Sequence, residues 1–194
     1  QLEADPVLAG PWRQLFLQVQ SPRHVLSELL QNADDAGATW VMATFKNNLF
    51  EFVHNGEDFN EETLQSLCQF GLSNKRHLHT IGFRGVGFKS VFSICSKVQI
   101  ITPTIAFSFD KNSFTLPVWL SGAPLTNGET RIRVLVDKDG QGQAILSEFQ
   151  RWIKSPIPLL FFSNVSRLEI QDETIHKENA REGPLPGSYY ITLS

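Results

Sequence analysis

Two short segments, about fifty residues apart, carry residue types that could act on one ligand together. The first runs Glu28-Leu29-Leu30-Gln31-Asn32-Ala33-Asp34-Asp35-Ala36-Gly37. Positions 28, 32 and 35 are spaced by four and three, so they share one side of a helix. Leu26, Leu29, Leu30 and Ala33 are left to pack elsewhere. A carboxylate one turn from an amide oxygen suits a hydrated magnesium ion, which takes few protein oxygens and keeps several waters. Asn32 would supply one ligand beside phosphate oxygens, and Glu28 would orient or deprotonate a water for attack. The plain alternative is a solvated polar face.

The second segment, Ile81-Gly82-Phe83-Arg84-Gly85-Val86-Gly87-Phe88-Lys89-Ser90, concentrates glycines at 82, 85 and 87. Glycines let backbone amides approach phosphate oxygens closely. The run from Val86 to Ile94 reads as a helix, whose N-terminus would add a positive dipole end. Lys89 in its first turn is unfavourable there unless an anion lies nearby. The P-loop pattern is not met, because Phe88 separates Gly87 from Lys89, and the dinucleotide fingerprint G-x-G-x-x-G is absent. A tight turn between strand and helix is the alternative. The two segments together describe a site for a nucleotide and its metal.

The surrounding elements must position these residues. Trp12 to Val19 and Pro22 to Ala36 read as helices, the second with proline in its first turn and Gly37 as its stop. Thr39 to Lys46 and Leu49 to Val53 read as a hairpin joined at Asn47-Asn48. Glu61 to Phe70 is a helix begun by Asn60. Residues 71 to 80 are polar and fit a mobile lid before the glycine loop. Val98 to Thr102, Ala106 to Phe109, Arg131 to Val136 and Val165 to Ile170 read as strands, and Ala144 to Lys154 as a helix. Segments 111 to 129 and 176 to 188 read as loops. The pattern predicts an α+β two-layer sandwich, a mostly antiparallel sheet with helices on one face.

The chain has 194 residues, 41% of them hydrophobic, enough for one core, and a single domain over 1–194 is expected. A net charge of −3 argues against a nucleic-acid surface as the main function. No apolar run reaches membrane-spanning length and no signal peptide is evident. Cys68 and Cys95 form neither a disulfide framework nor a zinc spacing, which fits a reducing, intracellular compartment. The chain starts at Gln1, which fits a piece of a larger protein. His77 and His79 lack further ligands at metal spacing. Ser73 and Ser90 lack a histidine–acid partner and read as hydroxyls that cap or touch phosphates. The phenylalanines follow core spacing and form no stacking platform among basic residues.

Glu-x-x-x-Asn-x-x-Asp-Ala followed by Ile-Gly-x-x-Gly-Val-Gly-Phe-x-Ser resembles the GHKL ATPases: gyrase B, the ninety-kilodalton heat-shock chaperones, histidine kinases and MutL. The run from Glu28 to Thr39 is most similar to sacsin-like proteins. Pro158 to Phe162, leading into Val165 to Ile170, resembles them too, so the likeness spans roughly residues 10 to 170. The resemblance implies the Bergerat fold, with ATP and Mg2+ as cofactors. It implies Glu28 as general base, Asn32 as magnesium ligand and Asp35 as a wall of the nucleotide pocket. It implies that Gly82, Gly85, Val86, Gly87 and Phe88 form the phosphate loop, with Arg84 an added cation that could equally be solvated. Thr130 resembles the family threonine near the adenine.

One departure matters. The family usually has Asp-x-Gly-x-Gly, whose aspartate accepts a hydrogen bond from the adenine amino group. The stretch here is His54-Asn55-Gly56-Glu57-Asp58, with His54 in place of that aspartate and Gly56 retained. A neutral imidazole can accept one hydrogen bond but loses the charge-assisted kind. A register shift would instead bring Asn55 or Asp58 to the base, and a plain strand-end turn is the simplest alternative. The function expected is a Mg-dependent ATP-binding domain with slow hydrolysis, a conformational switch within a larger multidomain chain, with ATP-dependent dimerisation as one outcome. The alternative is a degenerate nucleotide-binding or protein-interaction module without efficient turnover.

Overall fold

A computed structural model of the chain describes residues 22–68 and 87–194, apart from the pairs 114–115, 124–125 and 138–139. The expected helix at 12–19, the expected lid at 71–80 and most of the glycine loop lie outside the described residues.

The architecture is α+β, as expected. Strands β1 (Trp40–Lys46), β2 (Leu49–His54), β3 (Lys97–Ile101), β4 (Ala106–Asp110), β5 (Val118–Trp119), β6 (Thr130–Leu135), β7 (Arg167–Ile170), β8 (Glu173–Glu182) and β9 (Tyr189–Leu193) form one sheet. Their order is β5-β4-β3-β6-β2-β1-β7-β8-β9. The β1–β7 pair is parallel, and every other neighbouring pair is antiparallel. The helices are α1 (Val25–Asp35), α2 (Glu61–Cys68) and α3 (Gln141–Lys154).

Alternation along the strands decides which face is covered. Ala43, Phe52, Ile132 and Ile100 lie in one cross-strand rung and are all buried. α1 contributes Leu26, Leu29, Leu30 and Ala33 to this core, the stripe that its periodicity set aside for packing. It packs against a 3-10 segment, Gly87–Ser93, which supplies Val91 and Phe92. α3 covers β2 through Phe149, whose ring lies 6.2 Å from that of Phe50.

Local chemistry sets the element ends. Asn47 and Asn48 both take positive φ, 52° and 61°, the left-handed pair that a tight hairpin between twisted strands requires. At Gly37 φ is +73°, with Ala38 N–H donating to Ala33 O and Gly37 N–H to Asp34 O, a Schellman stop for α1. Asn60 and Thr63 cap α2 reciprocally, each side chain accepting from the other's amide at 2.8 and 2.9 Å.

Several boundaries differ from expectation. Residues 22–24 are a 3-10 turn and the α-helix starts only at Val25. Within the expected helix from 86 to 94, Gly87–Ser93 forms a 3-10 segment instead. The expected loop at 176–188 is largely strand, because β8 runs from Glu173 to Glu182. Lys177 to Glu182 is polar and shows no alternation, yet it pairs with β9, and Arg181 lies over the Tyr190 ring at 4.3 Å. The expected loop at 111–129 also holds the short strand β5.

Candidate functional site

The site is assembled where the end of α1 meets the ends of β2 and β6. Glu28, Asn32 and Asp35 are half-buried along one side of α1, while the leucines face the core. The chain leaving β2 is fixed to the C-terminus of α1, since Glu57 N–H donates to Ala36 O at 2.8 Å. This approach needs glycine at 56. A Cβ there would stand 2.8 Å from Ala36 O and 3.0 Å from His54 Nδ1.

His54 and Thr130 are cross-strand partners at the ends of β2 and β6. They occupy the rung after the apolar one, in line with buried Val41 and Leu168. Both are buried, His54 at 6% and Thr130 at 1% exposure. The Thr130 hydroxyl has no hydrogen-bond partner among the described residues, and neither has that of buried Ser90. Such orphaned groups are uncommon, because burying a polar atom unpaired is costly. A ligand hydrogen bond would satisfy them, so these residues fit a bound polar group.

The imidazole has a defined polarity. Gly56 N–H donates to His54 Nδ1 at 3.1 Å, so Nδ1 is unprotonated and Nε2 carries the ring proton. Burial pushes the His54 pKa down to about 4, which keeps the ring neutral near neutral pH.

Asn55 and Asp58, the residues a register shift would bring to the base, both make hydrogen bonds within the fold. Asn55 Oδ1 accepts from the amides of Thr39 and Trp40, both at 3.0 Å, while its Nδ2 donates to Thr39 Oγ1. Asp58 accepts from the Thr104 hydroxyl at 2.7 Å and from Phe59 N–H at 2.7 Å. Burial alone would raise the Asp58 pKa, but hydrogen bonds from Thr104, Thr102 and the amides of Phe59 and Thr104 outweigh it and hold the carboxyl below its usual range. His54 itself is the last residue of β2.

Other expected site residues are placed unevenly. Gly82, Arg84, Gly85 and Val86 lie outside the described residues, as do Ser73, His77 and His79. Gly87 opens the 3-10 segment, and the Phe88 side chain is buried in the core. Lys89 is buried at 3% exposure. Among the described residues no group of three or more His, Cys, Asp or Glu could hold a metal ion.

A residue with no assigned role proves central to the frame. The carboxylate of Asp34 is 4% exposed and accepts from the amides of Ser163, Asn164 and Val165 at 2.9, 2.7 and 2.8 Å. Asn164 Nδ2 donates back to Asp34 O at 2.8 Å. Lys177, which donates to Phe162 O, has its pKa lowered by burial, with the nearby Asp34 charge opposing. The signal was available, since Leu26, Leu30 and Asp34 recur every four residues along the buried stripe.

Fold and site together define a GHKL-type domain: an open, mostly antiparallel sheet, with an acid-and-amide helix docked where two central strands end. A model of the Sacsin domain matches residues 13–154, most of the chain, and the chain belongs to that family. The DNA mismatch repair protein MutL of Chlorobium chlorochromatii is 37% identical over 86 residues, 39% of this chain and 13% of that protein. A putative MutL protein homolog 1 of Schizosaccharomyces pombe is 30% identical over 94 residues, 43% of this chain and 14% of that protein. Protein NO VEIN of Arabidopsis thaliana is 33% identical over 94 residues, 45% of this chain and 3% of that protein. The chain thus spans less than a fifth of the length of each of these relatives. Among the described residues, no helix is long and apolar enough to cross a membrane.

Proposed function

We propose that the chain is one nucleotide-binding domain that binds ATP with a magnesium ion, hydrolyses it slowly, and acts as a conformational switch in a larger intracellular, sacsin-like or chaperone-like protein. The observation that carries this reading is the buried His54–Thr130 pair, with its orphaned hydroxyl, at the strand ends that the backbone ties to α1. Family membership and the mismatch-repair relatives support it.

The roles follow from residue chemistry. The base lies against His54 and Thr130, beside the turn that Gly56 makes possible, with Asp35 on the same side of α1. Asn32 offers its side-chain oxygen to the cation, which when bound offsets phosphate charge during attack. Glu28, one turn earlier, holds a water and takes its proton. Amides from 82 to 88 hold the phosphates, with Arg84 as an added cation. ATP-dependent dimerisation would couple this cycle to the rest of a multidomain chain.

A second reading, a binding module without efficient turnover, is favoured by one observation, the histidine where an acid would accept a hydrogen bond from adenine. Calorimetric titration of Mg-ATP, with phosphate release followed in parallel, separates the two. Saturable binding retained in Glu28→Ala, with release in wild type alone, supports the ATPase. Binding with no phosphate release from wild type leaves the module reading in its place, and no binding to folded protein overturns both nucleotide readings.

A further inference from the structure

The polarity of His54 says how a base would be read, and this inference rests on the nucleotide-binding reading above. Nδ1 is occupied as an acceptor by the Gly56 amide at 3.1 Å. The ring can therefore offer a neighbour one thing only, the Nε2–H donor. Gly56 cannot shift away easily, because it is wedged against Ala36 O and its own turn is tied to α1 through Glu57. Directly across the β2–β6 ladder, the Thr130 hydroxyl is buried and unpartnered among the described residues, so it can accept as well as donate. Of the acceptor side chains that follow it in the chain, Asn55 and Asp58 are bonded to Thr39, Trp40, Phe59 and Thr104, and Glu57 is exposed to solvent.

An amino group cannot be received by an N–H donor. Adenine nevertheless carries a matching pair on either flank of its 6-amino group: a ring nitrogen that accepts, N1 or N7, beside an N–H that donates. We propose that His54 is the specificity-determining residue of this site and acts as a donor: Nε2–H bonds an adenine ring nitrogen next to the 6-amino group, and the Thr130 hydroxyl accepts from that amino group. Adenine is then recognised with the hydrogen-bond polarity opposite to that of a carboxylate at the same place. Ring neutrality supports the assignment, since burial keeps His54 uncharged at neutral pH.

The test is calorimetric titration of the full chain with Mg-ATP, Mg-1-deaza-ATP and Mg-7-deaza-ATP, repeated with His54→Phe. One deaza analogue is expected to bind about tenfold or more weakly than ATP, the cost of leaving one buried donor unpaired. Which analogue loses affinity tells whether N1 or N7 is the acceptor. In His54→Phe, ATP and that analogue should bind alike, a result that a purely structural histidine would not produce. If wild type binds ATP and both deaza analogues equally, the inference is overturned while nucleotide binding stands. If it binds none of them, the nucleotide reading itself has failed. The wild-type comparison decides the matter even if the variant does not fold.

Discussion

Asp34 and the His54–Thr130 pair are both polar groups set into the edge of one apolar core, and they are treated in opposite ways. At Asp34 the accounts close: amides of residues 163, 164 and 165 meet its oxygens, and Lys177 supplies charge nearby. At the strand ends they stay open, with a buried hydroxyl that has no partner among the described residues and an imidazole turned to donate. A saturated buried group holds the chain to itself, whereas an unsaturated one is held ready for something else. Asp34 belongs to α1, and the turn after His54 is tied to the residue that caps the same helix, through Glu57 N–H and Ala36 O.

The largest effect is expected on the saturated side. Asp34→Ala leaves the three amides of 163–165 without an acceptor. It should cost about 3–5 kcal/mol, read as a lower midpoint in urea at an unchanged slope. A loss below about 1 kcal/mol would mean that water replaces the carboxylate and that the contrast between the regions is overstated.

The second effect is the acid response of His54. Unfolded, the ring takes a proton near pH 6.5, while folded it resists until about 4. Between those values the unfolded state binds more protons, so stability falls as pH drops through the window and levels off below it. The window is worth about 3 kcal/mol, and His54→Phe should flatten the curve there. Unfolding midpoints measured at several pH values check this.

Thr130→Val separates the regions most directly. Replacing an unpartnered hydroxyl by a methyl should leave stability unchanged or raise it by about 1 kcal/mol, while ATP affinity falls about tenfold. A large loss of stability would show that the hydroxyl is already satisfied within the fold. The smallest effect is expected at Asp58, whose oxygens are used by Thr104 and Phe59. Asp58→Asn should change ATP affinity by less than about threefold, under 1 kcal/mol, in the same titration.

Much of the frame was legible because it rests on local chemistry. The Asn47-Asn48 turn, the Gly37 stop, the Asn60 cap and the leucine stripe of α1 each follow from residue type over a few positions. β8 was missed because its polar second half owes its strand form to β9, and partner pairing is not written in the segment itself. Phe88 sits in the glycine segment by sequence but in the core by packing. Asp34 and Asp35 are identical in type and adjacent, and one position of helical phase sends the first into the clamp and leaves the second half-exposed. The substitution at His54 was visible, but its meaning was not. Only the Gly56 amide on Nδ1 turns a residue of either polarity into a donor.

The Asp34 clamp also sets an order of events during synthesis. Its partners at 163–165 lie some 130 residues downstream, and the parallel β1–β7 pair spans a similar interval. While the chain emerges from the ribosome, α1 and the first hairpin exist long before either closing contact can form. The acidic helix must therefore wait with Asp34 solvated, and the frame behind the candidate site locks only when the stretch after α3 arrives. A fragment ending at residue 154, where the family match stops, would contain α1 and its acids but none of the amides that anchor them.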